Sequence, residues 1–200
     1  VLSNLLKFNG NKVTKEYYIN DYGNQIRNFV KSVYLRIREI KFNEKFVNEK
    51  DLYPGEYIKE IAKKILIKNK SDFNSLDDNY DLLSKEALNY SMEMIKNDLN
   101  KLGVSHDNFV SEKSIVEKKN VESAIKKLRL TKHVEEGFLD PPKGEEHKNW
   151  KKTKRLIFKS VLFGDDANRA LQKNDGSWTY FANDLAYHYD KVSRNYDKLI

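Results

Sequence analysis

The stretch FGDDANRALQKNDGSWTYFANDLAYHYDK, Phe163–Lys191, carries the most readable pattern in the chain. Its middle reads as a hairpin, with Arg169–Lys173 and Trp178–Phe181 as short extended runs around Asn174-Asp175-Gly176-Ser177. Gly, Asn and Asp supply there the backbone angles that other residues resist. From Asp184 on the period changes. Leu185, Tyr189, Val192, Tyr196 and Leu199 recur at steps of four, three, four and three, an apolar helical stripe. Asn183 or Asp184 is expected to cap that helix. On this reading a strand delivers Tyr180 and Asp184 to the mouth of a helix, a common place for ligands in α/β sheets.

Working outward, Leu156, Phe158 and Val161 read as a strand leading into the hairpin. Before it, Asp140–Lys154 (DPPKGEEHKNWKKTK) is a Pro/Gly/charge-rich surface loop. Its Lys148, Lys151, Lys152, Lys154 and Arg155 around Trp150 suit either phosphate contact with a stacked base or plain solvation, the commoner meaning of such clusters. Glu135-Glu136-Gly137-Phe138 is expected as a hairpin turn, and Val121, Ile125 and Leu128 as a short helix.

The first hundred residues carry clearer periods. Leu2, Leu5 and Leu6 look like the tail of a helix stopped near Asn9-Gly10. Val13, Lys15, Tyr17 and Ile19 alternate with Thr14, Glu16, Tyr18 and Asn20 as a strand does. After Asp21-Tyr22-Gly23-Asn24, a helix presents Ile26, Val30, Val33, Ile37 and Ile40 on one face. Tyr53-Pro54-Gly55 opens another, Pro54 near its first position, with Ile58, Ile61 and Ile65 inside. Ser71–Asp81 reads as a polar loop. Leu88, Met92, Ile95, Leu99 and Leu102 make an amphipathic helix closed by Gly103, its methionines read as packing, and Val104–Val110 reads as a strand. Helix, strand, helix in this order fits half of a nucleotide-binding α/β sheet, or any α/β domain.

Composition sets the bounds. Two hundred residues at 39% hydrophobic and 34% charged describe a soluble, globular chain of one large or two small domains. No apolar run approaches the ~20 residues that span a bilayer. With no Cys, disulfides and cysteinyl zinc sites are excluded, and cytoplasm is the expected compartment. The formal charge of +7 suits a polyanionic partner but identifies none. The chain opens on Val1 and closes on Asp197-Lys198-Leu199-Ile200 without a turn, so a piece of a longer protein is expected.

Candidate chemistry is sparse. His106, His133, His147 and His188 show no ligand spacing; the first three are expected in exposed loops or edges and His188 at a core edge. Asp165-Asp166 allow a metal-binding carboxylate pair or a solvated turn. The sharpest pair is Tyr180 and Asp184, since a carboxylate beside a phenol holds a guanidinium or ammonium, and a fork of parallel N–H···O bonds singles out guanidinium. The simpler alternative is a helix cap with a packed tyrosine.

Four blocks together raise a resemblance. They are Glu16–Ile26 (EYYINDYGNQI), Tyr53–Ile58 (YPGEYI), Phe163–Asp166 (FGDD), and Asp175–Phe181 (DGSWTYF) with Asp184 and Ala186-Tyr187-His188. In this order they resemble arginyl-tRNA synthetase, a class I aminoacyl-tRNA synthetase. Pro141-Pro142-Lys143-Gly144 and Trp150 resemble its bacterial branch. The resemblance implies an α/β fold, part of a Rossmann-like catalytic domain with an α+β insertion. Residues 1–70 would form the incomplete first half, 71–181 the connective-peptide-like insertion and 182–200 the return. It implies ATP with Mg²⁺ as substrate, no tightly bound cofactor, L-arginine and tRNA(Arg) as partners, no membrane, and a monomeric parent. Tyr180 and Asp184 match the family's arginine-binding pattern; Asp21, Asn24, Gln25 and His188 are supporting candidates. Asn168 stands where relatives often carry aspartate. The HIGH-like and KMSKS-like signatures, which stabilise charge on the transferring phosphate, do not occur here. The 200 residues alone are therefore expected to be inactive. A non-catalytic arginine- or tRNA-binding paralogue and a purely structural module are the alternatives.

Overall fold

The computed structural model describes residues 1–117, 120–139 and 153–200. They gather into two compact units, Val1–Val110 and Ser111–Ile200. Helix and strand are mixed throughout.

The first unit holds α1 (Leu2–Phe8), β1 (Glu16–Ile19), α2 (Asn24–Phe42), α3 (Glu56–Lys68) and α4 (Leu76–Lys101), and β2 (Asn108–Ser111) lies at its end. β1 and β2 pair into a two-stranded sheet. Helices α2, α3 and α4 pack on one another because their aliphatic stripes meet. Val30, Val33, Ile37, Ile58, Ile61 and Ile65 are wholly withdrawn from water, with Ile26 and Ile40 at the margin. Polar anchors hold the loop between α2 and α3. Arg36 donates to Glu39 (2.9 Å) and to the Pro54 carbonyl (2.8 Å), and its guanidinium lies 3.8 Å from the centre of the Phe46 ring.

Three expectations for this unit are corrected. Ser71–Asp81 is not all loop, because Ser75 caps α4 by accepting from the Asp78 amide (3.3 Å). Asp77 and Asp78 then suit the positive end of the helix. Polar capping residues look like loop until their bonds are seen. The packed face of α4 lies at Leu83 and Ala87, and Leu102 is exposed. Pro54, for its part, precedes the Gly55 cap rather than opening α3.

The second unit contains α5 (Glu112–Glu117), α6 (Asn120–Leu130), β3 (Val134–Gly137), β4 (Arg155–Phe158), a 3-10 turn (Ser160–Phe163), β5 (Arg169–Ala170) and α7 (Tyr180–Ser193). The strands form an antiparallel sheet in the order β3-β4-β5. Glu135–Gly137 is thus strand, not turn: Glu135 faces Ile157 and Glu136 faces Leu156 in the register. Charge pairing supports this strand where apolar alternation does not. Lys159 pairs with Glu135, and Lys154 with Glu136 at 2.9 Å. Pro141–Gly144, His147, Lys148, Trp150, Lys151 and Lys152 lie outside the described residues.

Candidate functional site

The hairpin before α7 closes as its turn residues dictate. The Lys173 amide donates to Ser177 O (2.8 Å) and the Gly176 amide to Lys173 O (3.1 Å). Gly176 has φ +81°, and the Asp175 carboxylate accepts from both the amide and the hydroxyl of Ser177 (2.9 and 2.7 Å). Gln172 and Trp178 bridge across it.

The extended run after the turn stops at Thr179, two residues short of Phe181. Thr179 Oγ1 accepts from the Ala182 amide (3.3 Å) and donates to Ala170 O (2.7 Å), so one hydroxyl both caps α7 and ties it to β5. Neither Asn183 nor Asp184 is the cap. Tyr180 becomes the first residue of α7 and Asp184 lies one turn further on. The buried face is also not the expected one. It consists of Ala182, Asn183 and Ala186, small enough to let α7 pack on α5 and α6, while Val192, Tyr196 and Leu199 are exposed.

Tyr180, Asp184 and His188 follow at intervals of four residues, hence on one side of α7. All three are exposed. Asp184 is therefore an exposed acid in these residues, and His188 is exposed yet partly desolvated. The His188 imidazole is held below its ordinary value, chiefly by desolvation and further by Lys191, with Asp184 opposing. On the other side of the helix sits an acid that the sequence reading missed. Glu112 is 3% exposed and accepts from the Asn183 carboxamide at 2.9 Å. No motif announced it.

Asp21, Asn24 and Gln25 belong to the first unit. They surround the β1–α2 turn, where Gly23 has φ +92° and Gln25 donates to the Asn20 side chain. Asp21 is half-buried and Asn24 exposed.

The Asp165-Asp166 turn already carries a cation. Arg169 donates to both oxygens of Asp165 (2.7 and 2.6 Å) and to Asp166 (3.2 Å), which holds the Asp165 carboxyl well below the usual range. The metal reading of that pair gives way to this clamp. Among the described residues, no group of three or more His, Cys, Asp or Glu comes together to hold a metal ion. Asn168 accepts from the Val161 amide (3.3 Å), a structural part. His106 and His133 are half-buried rather than exposed: one packs against Tyr17 and Phe109, the other against Phe163. A recess of about 150 Å³ is lined by Lys96, Leu99, Asn100, Val104, Ser105, His106 and Phe109, and Lys96 lies over the Phe109 ring at 4.2 Å.

No family model matches the chain. The arginine–tRNA ligase of Pelagibacter ubique is 53% identical over 202 residues, an alignment that takes in all of this chain and 35% of that protein. The chain is a relative of arginine–tRNA ligase. The ligase of Wolbachia pipientis is 48% identical, again over the whole chain and 35% of its own length. A crystal structure of a putative arginyl-tRNA synthetase from Campylobacter jejuni superposes with a TM-score of 0.81 at 30% identity, covering 98% of this chain and 40% of that one. The arginyl-tRNA synthetase of Plasmodium falciparum shares the fold at a TM-score of 0.56 and 14% identity. The chain thus spans about 35% of the length of the curated ligases it matches.

Proposed function

We propose that the chain is a segment of a bacterial arginine–tRNA ligase, which activates L-arginine with ATP and esterifies it to tRNA(Arg). The end-to-end identity with ligases carries this reading. In the whole enzyme residues 1–70 and 182–200 would belong to a Rossmann-like catalytic domain and 71–181 to an insertion. ATP enters with Mg²⁺ as a substrate rather than a resident cofactor, the enzyme works in the cytoplasm as a monomer, and the 200 residues alone are inactive.

The residue assignment follows from α7. Tyr180 and Asp184 stand one turn apart on the same side of the helix, so a phenol and a carboxylate can meet one ligand together. The two oxygens of Asp184 accept two parallel N–H groups of a guanidinium, a match that an ammonium cannot make. A neutral side chain in that place would leave the carboxylate unpaired, and discrimination comes from that penalty. In open water the penalty is small, so selectivity requires the Tyr180–Asp184 side of α7 to be covered in the working enzyme. Asp21, Asn24, Gln25 and His188 have supporting roles.

Aminoacylation kinetics of the complete gene product test this. Asp184→Asn is expected to raise KM for arginine roughly ten- to a hundredfold, the loss of a charge-assisted hydrogen bond, with KM for ATP little changed. An unaltered arginine KM in that variant would remove Asp184 from the pocket.

A further inference from the structure

The tethered and the exposed sides of α7 run in step. Thr179 and Asn183 stand four residues apart, and each immediately precedes one of the pair Tyr180 and Asp184. Both are tied to other elements. Thr179 Oγ1 donates to Ala170 O of β5, and Asn183 Nδ2 donates to Glu112 of α5 at 2.9 Å. Successive residues of a helix differ by a fixed turn of about 100°, so what holds the first pair aims the second.

Glu112 is a costly residue to keep there. It opens α5, is 3% exposed, and meets an asparagine that is itself 4% exposed. Withdrawing a carboxyl group from water carries a penalty, and a well-packed hydrocarbon of similar volume often serves stability as well. What the acid supplies is placement. The other fully buried positions of α7, Ala182 and Ala186, offer only methyl groups, which key a helix against its neighbours weakly. Asn183 Oδ1 is buried without a hydrogen-bond partner among the described residues, so the bond to Glu112 is what orients the carboxamide.

We propose that Glu112 is a positioning residue for arginine: through Asn183 it sets the rotation of α7 that turns Tyr180 and Asp184 toward one ligand. The proposal rests on the arginine pocket assigned to that pair above. Glu112 acts from behind the helix and does not touch the substrate.

The test is arginine and ATP kinetics with thermal melting of the complete ligase, in Glu112→Leu, Asn183→Ala, their double variant and Glu112→Gln. Each of the first two is expected to raise KM for arginine roughly five- to twentyfold, with KM for ATP and kcat within about twofold of the parent. The double variant should raise it no further, since both changes remove the same bond. It should nonetheless melt above either single variant, because neither polar partner is left unpaired in the interior. Glu112→Gln keeps an acceptor oxygen for Asn183 and is expected to recover most of the arginine KM. An arginine KM that follows the melting midpoint, improving in the double variant, would overturn the proposal in favour of a purely structural part. So would a Glu112→Gln as impaired as Glu112→Leu, or an ATP KM and kcat that move as far as the arginine KM. Should Glu112→Leu not fold, Asn183→Ala decides: a raised arginine KM there, with a near-normal one in Glu112→Gln, upholds positioning, and an unchanged one removes it. Asp184→Asn separates this from the pocket itself. If it raises arginine KM while Asn183→Ala does not, the pocket stands and the positioning role fails; if it changes nothing, the pocket has failed and positioning falls with it.

Discussion

In the α2–α3–α4 cluster, Val30, Val33, Ile37, Ile58, Ile61 and Ile65 are all withdrawn from water, whereas in the second unit α7 buries Ala182, Asn183 and Ala186. The first arrangement coheres by aliphatic area, which is non-directional and large. The second is positioned by directional contacts as well, the Thr179 cap and the Asn183–Glu112 hydrogen bond, set beside a smaller apolar core that includes Ile115, Val121, Ile125 and Leu171. A helix held by small residues and a few hydrogen bonds keeps one side free for a ligand, and a sealed bundle does not.

The largest expected effect sharpens this contrast. Ile61→Ala removes a fully buried side chain at the meeting of the three helices and should cost about 2–5 kcal/mol, read by urea denaturation. Val192→Ala, the same kind of truncation on an exposed part of α7, should stay within about 0.5 kcal/mol. If the two cost the same, cohesion is not divided between the units in this way.

Thr179→Ala comes next. It takes away the hydroxyl that caps α7 and joins it to β5, and should cost the second unit about 1 kcal/mol, with Thr179→Ser recovering most of it. A neutral Thr179→Ala would mean that the tertiary contacts of α7 alone set its start.

The same contrast explains what the sequence made legible. Helices α2 and α3 were readable because Ile and Val recur on them at helical spacing and that spacing is what packs, whereas α4 packs through Leu83 and Ala87, ahead of its more regular apolar stripe. The Asn174–Ser177 turn was readable because Gly176 takes a positive φ. The register of α7 was misread for a physical reason. Leu185, Tyr189 and Val192 form the stronger apolar stripe, yet the tightly packed line is Ala182–Ala186, where small size matters more than hydrophobicity. The cap was misplaced because threonine inside an extended run looks like strand until its hydroxyl finds Ala182. Glu112 stayed hidden because a lone acid has no period. Its burial depends on Asn183, 71 positions away in the chain. Tyr180 and Asp184 were singled out by motif, and the structure adds that they share a side of α7 without burying it.

The smallest expected effect concerns that open side. His188 is one turn past Asp184, and its imidazole is held below the ordinary value near 6.5 by partial burial and by Lys191, with Asp184 working against them. A base whose folded-state pKa is depressed binds its proton later in the folded chain than in the unfolded one. Between about 6.5 and the lower folded value the unfolded state carries more protons, so the contribution of His188 to stability is complete above that window and is lost as the pH falls through it. Because the group is largely exposed, an imidazole titration by NMR is the sensitive measurement and a melting curve is not. Lys191→Gln should raise the His188 midpoint and Asp184→Asn should lower it, so the three proteins order as Lys191→Gln, parent, Asp184→Asn. A guanidinium seated on Asp184 would screen the same carboxylate from His188. Saturating arginine should then move the parent's midpoint down toward that of Asp184→Asn and leave the variant where it was. A midpoint that ignores arginine in the complete ligase would place the ligand somewhere other than this side of α7.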